Sequence, residues 1–222
     1  MNAEKTGKVP ETTKKAEVSA YDAGDFAVDL LSGEDIALPS LQLVQAMSES
    51  VIESKTVPGT VVDNLTNQVK SDKDGRITIY PFHFTKFWYR FTKVKNDLEF
   101  KDVEPIITAA QLKSPLEETI DGEQIVRQYA LRLAVMLANE SMPYFMHFRS
   151  SGLPTAKTLI TEMYIRNAAD NRPPYYTGFH LQIGTKTGPK GSWYVYKMAG
   201  RTEPTPEAIQ ERMKTWIKRI NQ

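Results

Sequence analysis

Phe82-His83-Phe84-Thr85-Lys86-Phe87-Trp88-Tyr89-Arg90-Phe91 interleaves aromatic and basic side chains at the spacing of a β-strand. In period two, Phe82, Phe84, Lys86, Trp88 and Arg90 share one face, while His83, Thr85, Phe87, Tyr89 and Phe91 share the other. Neither face is purely apolar. An ordinary half-buried strand is greasy on one side and polar on the other, whereas here both sides carry rings and one also carries cations. The pattern predicts a core face and a binding face. Base–aromatic stacking contributes about 1–3 kcal/mol per base and tolerates any base, so such a strand suits a single-strand nucleic-acid binder. The competing reading is a packed aromatic strand whose Lys86 and Arg90 extend past their neighbours to water.

Working outward, short apolar runs punctuated by Pro, Gly, Asn and Asp predict a β-rich core. Residues 41–45 read as a strand, Pro58-Gly59 as a turn, and Thr60-Val61-Val62 as an extended piece ended by Asp63-Asn64. Lys73-Asp74-Gly75 reads as a hairpin turn leading into strands over 76–84 and 86–95, where Pro81 signals an edge, a bulge or a break. Asp121-Gly122 is a second hairpin signal. Residues 124–138 alternate as a long strand, with a helix as the rival reading because Ala, Leu and Met favour it; residues 144–149 fit as the hairpin partner. The apolar stripe Ala156, Leu159, Ile160, Met163 and Tyr164 predicts a helix over 154–169. Two last strands, 175–183 and 192–198, flank a predicted flexible loop over 184–191 that carries Lys186 and Lys190. Thr205 is placed to cap a terminal helix with Pro206 at its first position and Ile209, Met213, Trp216, Ile217 and Ile220 on its apolar face. The expected organisation is a partly acidic, flexible tail over 1–37, a core over 38–200 and a C-terminal amphipathic helix over 201–222.

The 222 residues suffice for one domain with appendages. A net charge of +1 confines any nucleic-acid surface to a local patch. Zero cysteines exclude disulfides, thiolate catalysis and Cys-ligated metals, and suit a reducing cytosol. The N-terminus lacks an apolar signal core, and no run approaches the roughly 20 apolar residues of a membrane span. A soluble, cytoplasmic protein without membrane contact is expected. Enzyme signatures are missing: there is no HExxH, no Gly-x-Ser-x-Gly, and the 184–191 loop lacks P-loop spacing. His83, His147 and His180 fall in predicted strands without acidic ligands at metal-binding spacing, so packing or hydrogen bonding is the favoured role. No catalysis and no cofactor are expected.

The candidate nucleic-acid residues are Phe84, Lys86, Trp88, Arg90, Lys93, Arg127, Tyr129, Arg149, Lys186, Lys190, Trp193 and Tyr194. Short strands, one intervening helix and a cationic hairpin fit a β-rich α+β fold, an OB-like antiparallel barrel with an inserted helix and the C-terminal helix. Leu38-Pro39-Ser40-Leu41-Gln42-Leu43-Val44-Gln45, Pro58-Gly59 and the closing block over 173–198 with Gly191-Ser192-Trp193-Tyr194 resemble phage-encoded single-stranded DNA-binding proteins over residues 38–198. The resemblance implies sequence-tolerant binding of single-stranded DNA in replication, recombination or repair. It also implies replication or recombination proteins as partners, through the tail or the terminal helix, and is compatible with a homo-oligomer. Well-known members of that class end in an acidic tail, whereas this chain ends with Lys214, Lys218 and Arg219 and carries its acids at Asp22, Asp25, Asp29, Glu34 and Asp35. If acids regulate binding here, these would have to do it. The alternative function is a non-enzymatic structural or assembly protein of a phage particle.

Overall fold

A computed structural model describes residues 39–53, 55–95, 97–189 and 191–220. The tail and its acids, and Lys190, lie outside the described residues. Nine strands form one sheet in the order β2-β1-β7-β6-β3-β8-β9, with β4 added to β3 and β5 to β6. They are β1 Ser40–Leu43, β2 Val61–Asp63, β3 Arg76–Val94, β4 Asp97–Pro105, β5 Glu117–Ile120, β6 Glu123–Met136, β7 Tyr144–Arg149, β8 Gly178–Gly188 and β9 Gly191–Thr202. All pairings are antiparallel except β1 with β7. Two single-turn helices, α1 Glu49–Ile52 and α2 Ala109–Leu112, sit in connections. Between β7 and β8, α3 Leu153–Ile160 continues through a π-helical stretch Thr161–Arg166 into α4 Asn167–Ala169, and α5 Glu207–Ile220 closes the chain. The result is a curled, OB-like β-rich α+β fold with its helix inserted where the sequence predicts.

The central pair, β3 and β6, carries the architecture. β3 is one 19-residue strand rather than two, because Pro81 falls at a bulge: the register to β6 shifts between Pro81 and His83 and the strand runs on. Its first residues, 76–79, pair with β8, and residues 87–94 pair with β4. Asp121 and Gly122 both have positive φ, 50° and 85°, as a two-residue β5–β6 turn requires.

On one face of the β3–β6–β7 sheet, Ile77, Ile79, Leu131, Leu133, Val135, Tyr144, Met146 and Phe148 meet Ala156, Leu159 and Met163 of the inserted helix. The opposite, outer face carries a second core, where α5 lays Ile209 and Met213 over Tyr80, Phe82, Ala134 and Met136. Thr205 does not cap α5 through its hydroxyl, which is buried without a partner among the described residues; its backbone N–H donates to the Tyr176 carbonyl and its own carbonyl accepts from the Gln210 amide.

The segment expected as a flexible loop is ladder up to Gly188, which pairs with Gly191. The glycines that suggested flexibility instead make room for cross-strand side chains. A Cβ at Gly184 would stand 2.6 Å from Lys197 Cε, and one at Gly188 2.9 Å from Trp193 Cη2. The hairpin they build is joined to the opposite side of the sheet by a side chain: the Gln45 amide donates to the Tyr194 carbonyl at 3.1 Å and accepts from the Tyr194 N–H at 2.8 Å, imitating a ladder step. Gln45→Ala should therefore cost about 1–3 kcal/mol, the worth of two such bonds, measured by urea denaturation; an unchanged midpoint would remove this seam as a stabilising element.

Candidate nucleic-acid interface

Six of the sequence-predicted site residues lie on the even-numbered side of β3 and its neighbours; Trp88 and Arg127 are buried there, and Phe84, Lys86, Arg90 and Tyr129 are half-buried against neighbours. Trp88 is 4% exposed, donates its indole N–H to the Gln111 carbonyl at 2.9 Å and meets the Tyr129 ring edge-on at 5.5 Å. Phe84 packs edge-on against Tyr164 of the π-helical stretch at 5.2 Å, and the Lys86 ammonium leans over the Phe84 ring. Arg90 grips Asp102 through two nitrogens at 2.5 Å each; that hydrogen bond, offset in part by burial, holds the Asp102 carboxyl below its usual range. Arg127 is buried between Glu118 and Glu104 and also donates to the Pro115 carbonyl. These cations are committed to carboxylates. The even face is therefore the packed one here, and the reading that rings and cations there are free for a ligand needs revising: residues from β4, α2 and β5 cover it.

The odd face behaves differently. α5 shields its upper part, as far as Phe145, Trp216 and Ile217. Beyond that, the buried Phe87 and the half-buried Tyr89 and Phe91 of β3 form a continuous ring cluster with the exposed Phe100 of β4 and His147 of β7. Ring centres lie 5.0 Å apart for Phe87 and Tyr89, 5.8 Å for Phe87 and His147, 6.0 Å for Tyr89 and Phe100, and 6.1 Å for Phe91 and Phe100. Phe100 is 60% exposed, although it sits in a strand and carries no polar atom. Two guanidinium groups border the rings. Arg132 lies 4.4 Å from the Phe145 centroid and 5.9 Å from that of Phe87, and Arg149 lies 5.7 Å from that of Tyr89. Neither forms an ion pair among the described residues. The cluster opens into a groove of about 760 Å³ that passes Gln42, Tyr89, Phe100 and His147, turns around Arg149 and reaches Trp193 and Tyr194 of β9.

Of the remaining predicted residues, Arg149, Trp193 and Tyr194 line this groove. Trp193 is half-buried and donates its indole N–H to Ser151 Oγ, and Lys186 reaches the Ser151 carbonyl at 3.4 Å beside it. Lys93 is exposed near the end of β3. Phe91, Phe100, Tyr89, Arg132 and His147 were not singled out as contact residues, yet a period-two signal for them exists. Phe145, His147 and Arg149 alternate with the buried Tyr144, Met146 and Phe148, and Arg132 interrupts the apolar run Leu131-Arg132-Leu133.

Electrostatics on this face are one-signed. Burial, with further repulsion from Arg132 and Arg149, holds the His147 imidazole down to about 4, and His83 is lowered by burial and by Arg132. His147 Nδ1 is engaged with the Tyr89 hydroxyl at 2.9 Å. Among the described residues no three His, Asp or Glu side chains converge as metal ligands, and no helix is long and apolar enough to cross a membrane.

Over residues 5–222 the chain matches the model of the Pam3 phage gp34-like protein family. The chain belongs to that family. This is a phage protein, and the phage origin expected from the resemblance holds at that level. No curated protein and no solved structure matches the gp34-like chain, so its site rests on its own geometry.

Proposed function

We propose that this gp34-like protein binds single-stranded DNA without sequence preference during phage DNA replication, recombination or repair in the host cytoplasm. The observation that carries the reading is the stretch of the outer face beyond α5, where a cluster of rings ending in the exposed Phe100 is bordered by two guanidinium groups without acidic partners among the described residues. Rings stack bases, and arginines neutralise the backbone; the binding requires no catalytic step. Arg149, Trp193 and Tyr194, on the groove that continues from it, extend the surface toward β9.

Fluorescence-anisotropy titration of a labelled oligothymidine tests this, with duplex of equal length as competitor. Log affinity should fall against log salt with a slope of about −0.7 per phosphate contact, and duplex should compete poorly. No binding at low salt would overturn the reading.

A second reading, an assembly protein of the phage particle, is favoured by one feature. Leu98, Val103, Ile107, Leu116 and Ile120 are exposed around β4 and β5, and β4 pairs on one side only. Self-association independent of DNA, measured by sedimentation, would bring that reading forward.

A further inference from the structure

Arg132, His147 and Arg149 converge by register. Arg132 on β6 is the direct cross-strand partner of His147 on β7, and Arg149 is the next residue on the same face, opposite Ala130. Cross-strand partners hold their Cβ atoms about 4.5–5.5 Å apart, so the three basic side chains share one small patch. What surrounds them is apolar or uncharged: the Phe87 and Tyr89 rings from β3, Phe145 from β7, and Gln42 beside the groove from β1.

Their donors are unspent. Arg132 gives Nε to Thr85 Oγ1 at 3.2 Å, and its two terminal nitrogens have no acceptor among the described residues. Among the described residues Arg149 has no hydrogen bond and lies over the Tyr89 ring, and His147 engages Tyr89 through Nδ1 while its Nε2 has no partner. Arg149 and His147 face solvent, whereas Arg132 is half-buried, and a half-buried guanidinium normally finds a carboxylate, as Arg90 does on the other face. Register places these donors side by side on one face, within reach of a single tetrahedral oxyanion that could draw them together.

We propose that Arg132, His147 and Arg149 form a discrete oxyanion site for one phosphate group, which binds with His147 in its protonated form and, in the complex with single-stranded DNA, holds one backbone phosphate. The proposal deepens the reading above and rests on it for the identity of the phosphate. The sign of its pH dependence follows from the charges that face the imidazole. In the free protein these are the two guanidiniums, with no carboxylate among the described residues, and the ring stays neutral at pH 7. An oxyanion between them cancels that repulsion and accepts a hydrogen bond from Nε2, which favours the imidazolium. Binding then takes up a proton. Affinity should rise as pH falls from about 7 to about 5, by at most tenfold per pH unit for one proton.

Two measurements on the full chain test it. The first follows the His147 imidazole by NMR, assigned by its loss in His147→Gln, across a pH series with sodium sulfate, with sodium chloride of equal ionic strength, and with oligothymidine, whose bases do not titrate in this range. His147 should titrate below the ordinary imidazole value in chloride and move upward with sulfate and with oligothymidine. Arg149→Gln, at an exposed residue, should remove the sulfate response. The second repeats the anisotropy titration at several pH values: the wild-type affinity should climb in acid, and that of His147→Gln should stay flat. A His147 that responds to sulfate no more than to chloride overturns the oxyanion site. Oligothymidine that binds with a flat pH profile overturns the phosphate coupling and leaves single-strand binding standing. Oligothymidine that fails to bind while sulfate moves His147 does the reverse.

Discussion

Trp88→Ala is expected to unfold the lower half of the sheet rather than to weaken a ligand contact alone. The indole is 4% exposed, fills the space against Tyr129 and supplies the hydrogen bond that holds the Gln111 carbonyl. Truncating a buried Trp or Phe to Ala costs about 3–5 kcal/mol, a large part of the 5–15 kcal/mol that keeps a domain folded. The damage should also spread. Gln111 is the third residue of α2 and closes the capping box with the N-cap Thr108, its side chain accepting from the Ile107 and Thr108 N–H groups, and α2 lies in the connection between β4 and β5. Thermal denaturation should show a fall of many degrees, and hydrogen exchange should show the earliest loss of protection in β4 and β5. A variant that keeps its melting temperature but loses oligothymidine affinity would instead return Trp88 to the ligand.

Phe100→Ala should do the opposite. Its ring is mostly in solvent and meets the rings of Tyr89 and Phe91 edge-on, so stability should change by less than about 0.5 kcal/mol. If a base stacks there, affinity for oligothymidine should fall by about 1–3 kcal/mol, roughly 5- to 150-fold. Adding Phe91→Ala should deepen the loss by less than a second full increment, because the two rings are in contact and do not act independently. Unchanged affinity in the double variant would place the binding surface elsewhere on the molecule.

The contrast between these two positions marks how far the sequence could be read. Strand formation in β3 and β6, the Asp121-Gly122 turn, the inserted helix and the terminal helix follow from local period and turn chemistry, and all are present. The two faces of β3 separate correctly from the bulge onward, into 84, 86, 88, 90 against 83, 85, 87, 89, 91, whereas Phe82, the extra residue of the bulge, packs on the α5 side with Tyr80. Which face is sealed was not local information. It is decided by β4, α2 and β5, drawn from a charged stretch, Asp97-Leu98-Glu99-Phe100-Lys101-Asp102-Val103-Glu104, whose carboxylates supply the partners of Arg90 and Arg127. A cation in a strand looks the same in sequence whether its carboxylate lies across the ladder or is missing. Arg90 and Arg132 contrast in that respect: β4 brings Asp102 across the ladder to Arg90, whereas Arg132 has no acid among the described residues. The glycines of 184–191 misled for a related reason: their lack of a side chain serves Lys197 and Trp193, residues of a strand that follows them.

The Gln45–Tyr194 bridge spans 149 positions of chain, and the parallel β1–β7 pair joins residues 40 and 41 to 145 and 146. Contacts of such separation are slow to form, because the closure entropy of the intervening chain must be met before they return any stabilisation. During synthesis, the N-terminal edge therefore emerges long before the hairpin that completes it. Ser40–Leu43 pairs on both sides in the finished sheet, with β2 and with β7, and until β7 is made its backbone has an open edge able to recruit a strand from another chain. The burden of aggregation-exposed folding thus falls on the first described strand of the fold until β7 covers it, and the Gln45–Tyr194 bridge to the last hairpin is the final contact to close.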